Sequence, residues 1–128
     1  NTFAVVGLTQ ELVPLVEKSE AGRIVNVSSM MGSLTINSAP GDMASFKPFA
    51  YNASKTALNM FTVCLAQDLD NSPIKVNSAH PGWVKTDMGS EHAPMEIVDG
   101  AKTLVELALL DDDGPSGSFI HLGETLPW

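Results

Sequence analysis

The stretch Phe49-Ala-Tyr51-Asn-Ala-Ser-Lys55-Thr-Ala-Leu58 places a tyrosine and a lysine four residues apart in a segment that favours a helix. An α-helix rises about 1.5 Å per residue, so side chains at positions i and i+4 lie about 6 Å apart on one face. At that separation the ammonium of Lys55 favours the tyrosinate form of Tyr51. A phenol that exchanges its proton readily is a general acid and base, and the pair predicts carbonyl/alcohol redox chemistry.

Two short apolar strands flank the helix that carries this pair, which we expect to run from about Pro48 to Asn71. Residues 23–28 form the first strand and end in the hydroxyls of Ser28 and Ser29. Residues 74–79 form the second and continue into a Pro-Gly turn. Strands that are apolar on both faces are typical of parallel strands between layers of helix. The arrangement predicts a β-α-β unit with polar groups at the strand ends.

The outer segments extend the alternation. Residues 2–18 and 95–110 carry apolar side chains at helical spacing, and residues 118–122 form a third short strand. The succession α-β-α-β-α-β predicts an α/β fold with a parallel sheet covered by helices. The expected core faces are Val5, Leu8, Leu12, Leu15 and Val16 in the first helix, Leu58, Phe61, Leu65 and Leu69 in the central helix, and Ile97, Val98, Ala101, Leu104, Val105 and Ala108 in the last helix.

Composition limits the class of protein. The chain has 128 residues, of which 44% are hydrophobic, and this length suits one domain at most. Seven basic against fifteen acidic residues give a net charge of -8, which argues against nucleic acid or an anionic membrane as partner. We find no apolar run of the ~18–20 residues that a membrane span needs, and no targeting signal after Asn1. The single cysteine, Cys64, excludes an intrachain disulfide, is expected in the core, and fits a cytoplasmic setting.

One expected feature of a nucleotide-binding fold is missing. The ten glycines form neither a Gly-x-Gly-x-x-Gly nor a Gly-x-x-x-Gly-x-Gly turn, on which a dinucleotide pyrophosphate normally lies. Residues 1–128 are therefore predicted to be a single partial domain. We expect the second half of a Rossmann-type doubly wound parallel sheet, with three strands and three main helices and without the N-terminal phosphate-binding half.

Three segments in this order resemble the short-chain dehydrogenase/reductase family: Ser28-Ser29 at a strand end, Tyr51-x-x-x-Lys55, and Pro81-Gly82-Trp83-Val84-Lys85-Thr86. Ser29 and Tyr51 are 22 positions apart, a longer spacing than in many members, which resembles the carbonyl-reductase-like branch. The resemblance implies an oxidoreductase that transfers a hydride between NADP(H) or NAD(H) and a carbonyl or alcohol substrate. The branch favours NADP(H).

The resemblance also assigns catalytic roles. Tyr51 would be the general acid and base, and Lys55 would activate it while holding the nicotinamide ribose. Ser29 would hydrogen-bond the substrate oxygen. Asn1 would anchor, through its backbone carbonyl, a water that completes a proton relay to solvent.

The same resemblance implies contacts to cofactor and substrate. The cofactor-binding residues would be Tyr51, Lys55, Pro81, Gly82, Val84 and Thr86, with the turn contacting the nicotinamide carboxamide. The substrate-binding residues would be Ser29, Met30, Tyr51, Trp83 and Met88, with Met31 and Met43 as further apolar wall. Ordinary turn and loop packing is the competing interpretation of the turn and of the apolar residues.

The sequence predicts no metal site, because His80, His92 and His121 show no metal-ligand spacing.

Two alternative functions remain open at this point. An epimerase or dehydratase of the same fold would carry the same Tyr-x-x-x-Lys pair. A non-catalytic scaffold or regulatory protein would have kept these residues without binding the cofactor. The partner is expected to be a small molecule, and the sequence leaves open a homodimer, a homotetramer or a monomer. It does not identify the substrate.

Overall fold

A computed structural model describes residues 1–40 and 48–128 of the chain. The elements, in order, are α1 (Phe3–Val16), β1 (Arg23–Val27), a 3₁₀ turn (Met30–Gly32), α2 (Leu34–Ser38), α3 (Phe49–Asp68), β2 (Lys75–Ala79), α4 (Ile97–Ala108), β3 (Phe119–His121) and β4 (Glu124–Thr125). The predicted α/β alternation is confirmed. Three elements were not predicted: the 3₁₀ turn, α2, and β4, which pairs antiparallel to β3. Met43, expected in the substrate wall, lies outside the described residues.

The four strands form one sheet in the order β1-β2-β3-β4. β1 and β2 are parallel, with Val27 opposite Ala79, and β2 and β3 are parallel, with Ala79 opposite Ile120. The carboxyl ends of these three strands therefore meet at one edge of the sheet. Any polar groups that follow them in the chain are brought together there.

The helices cover both faces of the sheet. One core joins α1 and α3 to the face of Ile24 and Val76, while a second core joins α4 to the face of Val25 and Ala79. The crossovers β1-α3-β2 and β2-α4-β3 lead in the same direction across the sheet, but their helices lie on opposite faces. The two crossovers therefore have opposite hands, and one of them departs from the usual right-handed rule.

The buried face of α3 is more polar than predicted. Leu58, Asn59, Thr62 and Ala66 are buried, whereas Phe61 and Leu65 are only partly buried. The Thr62 hydroxyl contacts Asn26 Nδ2 at 2.9 Å and Ser78 Oγ at 2.9 Å, so its polar atoms are satisfied between helix and sheet. The prediction that Cys64 lies in the core is wrong: Cys64 is exposed because it lies on the other side of α3.

The predicted core face of α4 is also wrong in part. Ile97, Val98 and Val105 are 64%, 75% and 54% exposed, and Ala101 and Ala108 are exposed too, whereas Gly100, Thr103 and Leu107 are buried and Leu104 is partly buried. Small residues let the helix approach closely: a Cβ on Gly100 would lie 2.4 Å from Val84 Cγ2. The helix therefore buries Gly100 and Thr103 beside Leu104 and Leu107, and leaves the other large apolar residues outside.

Helix α1 packs less tightly than its pattern predicts. None of its residues is fully buried; Val13 and Val16 contact the core, while Leu8, Leu12 and Leu15 are exposed. None of the described helices combines the length and the apolar character that crossing a bilayer requires.

Candidate active site

The carboxyl edge of the sheet brings the three chemical segments together. Ser28 follows β1 directly, and its N–H donates to the Ala79 carbonyl at the end of β2 at 2.8 Å. His80 and Pro81 follow β2 at the same edge, and His80 N–H donates to Ile120 O at 2.8 Å. The hydroxyls after β1 and the Pro-Gly turn after β2 are therefore neighbours.

Helix α3 carries the tyrosine-lysine pair to this edge. Lys55 Nζ lies 5.7 Å from the centroid of the Tyr51 ring and donates to the Val27 carbonyl at 2.8 Å. Burial lowers the pKa of the Lys55 ammonium from its ordinary value. The ammonium is thus held at the last residue of β1, immediately before the two serines.

Ser28 and Ser29 have different surroundings, although both are buried. Ser28 Oγ donates to Asn59 Oδ1 of α3 at 2.5 Å. Ser29 Oγ accepts from Met31 N–H at 3.2 Å, so its hydroxyl oxygen caps the 3₁₀ turn while its proton is left for another acceptor. Of the two hydroxyls, that of Ser29 therefore keeps its proton free of a side-chain partner in the described part of the chain.

Three contacts tie the segment after Ser29 to α3. The Thr56 hydroxyl donates to Gly32 O at 2.9 Å, and Asn52 Nδ2 donates to Asn37 Oδ1 at 3.1 Å. A Cβ on Gly32 would come within 2.7 Å of the Lys55 carbonyl carbon, so the 3₁₀ turn lies directly against α3. These contacts fix the spacing between Ser29 and the tyrosine-lysine pair.

Asn37 completes this arrangement from α2. Its Nδ2 donates to Met31 O at 2.9 Å and to Ser33 O at 2.7 Å while its Oδ1 accepts from Asn52. Sequence reasoning did not identify Asn37 or Asn52. An asparagine next to the site tyrosine and another in a polar linker give no periodic signal, and only the fold brings them together.

The turn after β2 contains a left-handed glycine and pairs with the segment before α4. Gly82 has a φ of 91°, a conformation that other residues rarely adopt. Val84 forms an isolated parallel bridge with Met95. The two hydrogen bonds of this bridge run from Met95 N–H to Trp83 O and from Lys85 N–H to Met95 O. The main-chain groups of Val84 itself therefore point away from Met95. The Val84 carbonyl instead accepts from the Thr86 hydroxyl at 3.4 Å, within its own loop.

Other predicted residues lie further out. Thr86 and Met88 are exposed, and Thr86 Oγ accepts from Gly89 N–H at 3.1 Å. Trp83 is 57% exposed, and its Nε1 donates to Gly89 O at 2.6 Å, which ties its ring to its own loop. Asn1 is exposed, with its Nδ2 donating to Ser54 Oγ at 3.3 Å, next to Lys55 in α3.

The comparisons with known proteins place these observations in a family. A family model described as short chain dehydrogenase matches residues 1–97. Salutaridine reductase of Papaver bracteatum is 34% identical over 97% of this chain, and the C-signal protein of Myxococcus xanthus is 31% identical over the whole chain. The solved structure of an NADPH-bound carbonyl reductase from chicken fatty liver superposes with a TM-score of 0.83 at 29% identity and covers 100% of this chain.

The chain is shorter than these relatives. It spans about half of salutaridine reductase (50%) and of the chicken carbonyl reductase (52%), and 74% of C-signal.

Proposed function

This chain belongs to the short-chain dehydrogenase family, and on that premise we propose that the protein carrying it is an NADP(H)-dependent oxidoreductase for carbonyl and alcohol substrates. The match to an NADPH-bound carbonyl reductase supports the reaction class and the cofactor. The substrate is proposed to be a small aldehyde or ketone, or the matching alcohol.

The single observation that carries the proposal is the position of Lys55. Its Nζ reaches the last carbonyl of β1 while lying 5.7 Å from the Tyr51 ring centroid, so a phenol, an ammonium and the Ser28-Ser29 hydroxyls share one sheet edge. A lysine that only solvates a helix face would extend into solvent. The Lys55 ammonium instead lies at the end of β1, near the Tyr51 phenol and the Ser28-Ser29 hydroxyls. This grouping is the one that acid–base catalysis at an oxygen atom requires.

The proposed mechanism assigns one step to each side chain. The nicotinamide cofactor, when bound, supplies the hydride to the carbonyl carbon. Ser29 donates a hydrogen bond to the carbonyl oxygen and orients it, and Tyr51 gives its phenolic proton to that oxygen as negative charge develops. The ammonium of Lys55 favours the resulting phenolate electrostatically. The proton is then restored from solvent along Lys55 and a water anchored at Asn1.

The turn after β2 fits the nicotinamide end of the cofactor. The main-chain groups of Val84 point away from its bridge partner Met95, and Gly82, two residues earlier, has a left-handed conformation. We propose that Val84 contacts the carboxamide through its backbone, that Thr86 contacts it through its hydroxyl, and that Pro81 and Gly82 pack against the ring. Met30, Trp83 and Met88 are proposed to line the substrate side.

The test is the oxidation of NADPH by the full-length protein with a panel of aldehydes and ketones, followed by absorbance. We expect turnover with NADPH to exceed turnover with NADH. Tyr51→Phe removes only the hydroxyl and should lower kcat by about 10²–10⁴-fold, the usual worth of a general acid, with cofactor binding retained. Saturable NADPH binding without turnover on any carbonyl, or a Tyr51→Phe variant as active as the wild type, would refute the proposed reaction.

One observation favours a second candidate, a non-catalytic role. Of the three relatives described above, the one that this chain covers most fully, at 74%, carries the name of a signal and not of a reaction. A full-length protein that binds neither NADPH nor NADH would support that candidate.

A further inference from the structure

Trp128 connects the last strands of the sheet to the segment that follows Ser29. Its indole stacks on the fully buried ring of Phe119 in β3, with ring centroids 5.6 Å apart and an interplanar angle of 14°. Its main-chain oxygen accepts from Thr35 N–H in α2 at 2.9 Å. A residue fixed to the core by its side chain therefore holds α2 by its backbone.

Helix α2 needs such support. It has five residues, and isolated helices of this length are not stable in water. The Ser33 hydroxyl caps it by accepting from Ile36 N–H at 3.0 Å, and Asn37 is linked to Asn52 of α3. These contacts secure α2 from within and from α3, and Trp128 secures it from the side of β3.

The space between α2 and α3 is incompletely filled. A cavity of about 80 Å³ is lined by Leu34, Met60, Val63, Trp128 and neighbouring residues of α3 and the 3₁₀ turn. Asn59 also lines it, and its Nδ2 is buried without a hydrogen-bond partner in the part of the chain that the structure describes. Loss of the indole would enlarge this space and allow α2 to move towards it.

We propose that Trp128 is a positioning residue for the substrate side of the site. Trp128 holds α2, α2 continues the 3₁₀ turn, and the N–H of Met31 in that turn orients the hydroxyl of Ser29. The role in substrate binding rests on the function proposed above. Trp128 sets the affinity for the carbonyl substrate through Ser29 and Met30, without contact with the reacting atoms.

The first experiment measures hydrogen exchange in the full-length protein and is independent of activity. Trp128→Ala should increase exchange in the peptide covering residues 30–40, because residue 128 keeps the main-chain oxygen that accepts from Thr35 N–H but loses the ring that fixes it on Phe119. Trp128→Phe, which keeps a ring on Phe119, should restore most of the protection. Unchanged exchange in Trp128→Ala would overturn the proposal.

The second experiment is steady-state kinetics on the same variants. Trp128→Ala should raise KM for the carbonyl substrate about fivefold, the worth of one aromatic stacking contact, with kcat and the affinity for NADPH close to wild type. Leu69→Ala is the matched control, because Leu69 is buried in the core around Ile74, away from the catalytic edge, and its loss should lower stability without raising KM.

The outcomes separate the two proposals. An equal rise in KM in Leu69→Ala and Trp128→Ala would reduce the effect to general destabilisation and overturn the positioning role. A wild-type protein without turnover would refute the proposed function and, with it, any role in substrate affinity. The exchange data would then decide by themselves whether Trp128 holds α2.

Discussion

Lys55 shows how one side chain serves both fold and site. Its Nζ donates to Val27 O, and burial lowers the pKa of the ammonium. In the mechanism proposed above, this lower pKa eases the release of a proton along the relay. An ammonium carries three donors, so the bond to Val27 leaves others for a substrate, a cofactor hydroxyl or a water. The position of the charge is thus set by a backbone carbonyl, which no side-chain substitution can remove.

His80 lies at the same sheet edge and is only 8% exposed. Its Nδ1 accepts weakly from Gly82 N–H at 3.4 Å, and its ring centroid lies 4.7 Å from that of His121, whose Nδ1 contacts His80 O at 2.8 Å. Burial, and secondarily the charge of His121, lower the pKa of His80 to about 4. The folded protein therefore holds His80 as the neutral imidazole.

We expect this histidine to make stability depend on pH. Between the unfolded pKa of about 6.5 and the folded pKa of about 4, the unfolded chain binds a proton that the folded chain does not. The free energy of unfolding should therefore fall as the pH decreases through this range, by about 2 kcal/mol between pH 7 and pH 5 from His80 alone. Urea unfolding at the two pH values measures it.

Two variants make the measurement specific. His80→Gln should lose most of this difference between pH 7 and pH 5, whatever its stability at pH 7. His92→Gln, which changes an exposed histidine in the following loop, should keep the wild-type difference. An undiminished difference in His80→Gln would show that other groups carry the pH dependence.

The 3₁₀ turn depends on glycine at position 32. A Cβ there would lie 2.7 Å from both the carbonyl carbon and the Cβ of Lys55, and neither of those atoms can move without moving α3. Gly32→Ala should therefore lower the free energy of unfolding by about 1–3 kcal/mol. It should also lower kcat, because the clash is with Lys55 itself and would shift its ammonium relative to Tyr51. Urea unfolding and the NADPH assay check the two effects.

Gly7 provides the matched control. It lies within α1 with no atom within 4 Å of an added Cβ, so Gly7→Ala should stabilise the helix by about 0.5–1 kcal/mol and leave kcat unchanged. If Gly32→Ala unfolded at the wild-type urea concentration, the close packing of the 3₁₀ turn on α3 would not be a constraint.

Element order was predictable from the sequence, and helix faces were less so. The apolar strands and the Tyr51 helix were found within a few residues because hydrophobic runs and prolines mark them. The prediction for the buried side of α4 is wrong because two of its buried residues, Gly100 against Val84 and Thr103, are small, and periodicity counts only large apolar residues. Satisfied polar groups such as Thr62 mislead in the same way.

The sequence predicts which site segments lie close together, but not the individual contacts between them. Parallel strands bring Ser29 and Pro81 to one edge whatever the details of packing, so topology alone predicts their proximity. Contacts such as Asn37 with Asn52 or Trp128 with Thr35 join positions with no local pattern. These contacts depend on how α2 packs against its neighbours, which the sequence does not predict.

The surface of the whole chain is larger than its mass predicts. It amounts to 7799 Å², against about 6,600 Å² for a typical folded monomer of this mass. Several large apolar side chains are exposed, as with Phe3 and Leu8 on α1, Val98 on α4 and Leu109 directly after it. Where such side chains form a patch, it is generally covered by another part of a protein or by a partner.

We therefore expect the 128-residue chain in dilute solution to bind a hydrophobic dye and to self-associate as salt is added. A net charge of -8 keeps copies apart at low ionic strength, and salt screens that repulsion while the apolar faces remain exposed. Light scattering after size exclusion at low and high salt measures the association. Val98→Glu should reduce it more than Thr125→Glu, which adds the same charge on β4 without removing apolar surface. Equal effects of the two substitutions would mean that net charge, and not the outer face of α4, controls association. A monomer at high salt that does not bind the dye would mean that these faces are covered within the chain itself.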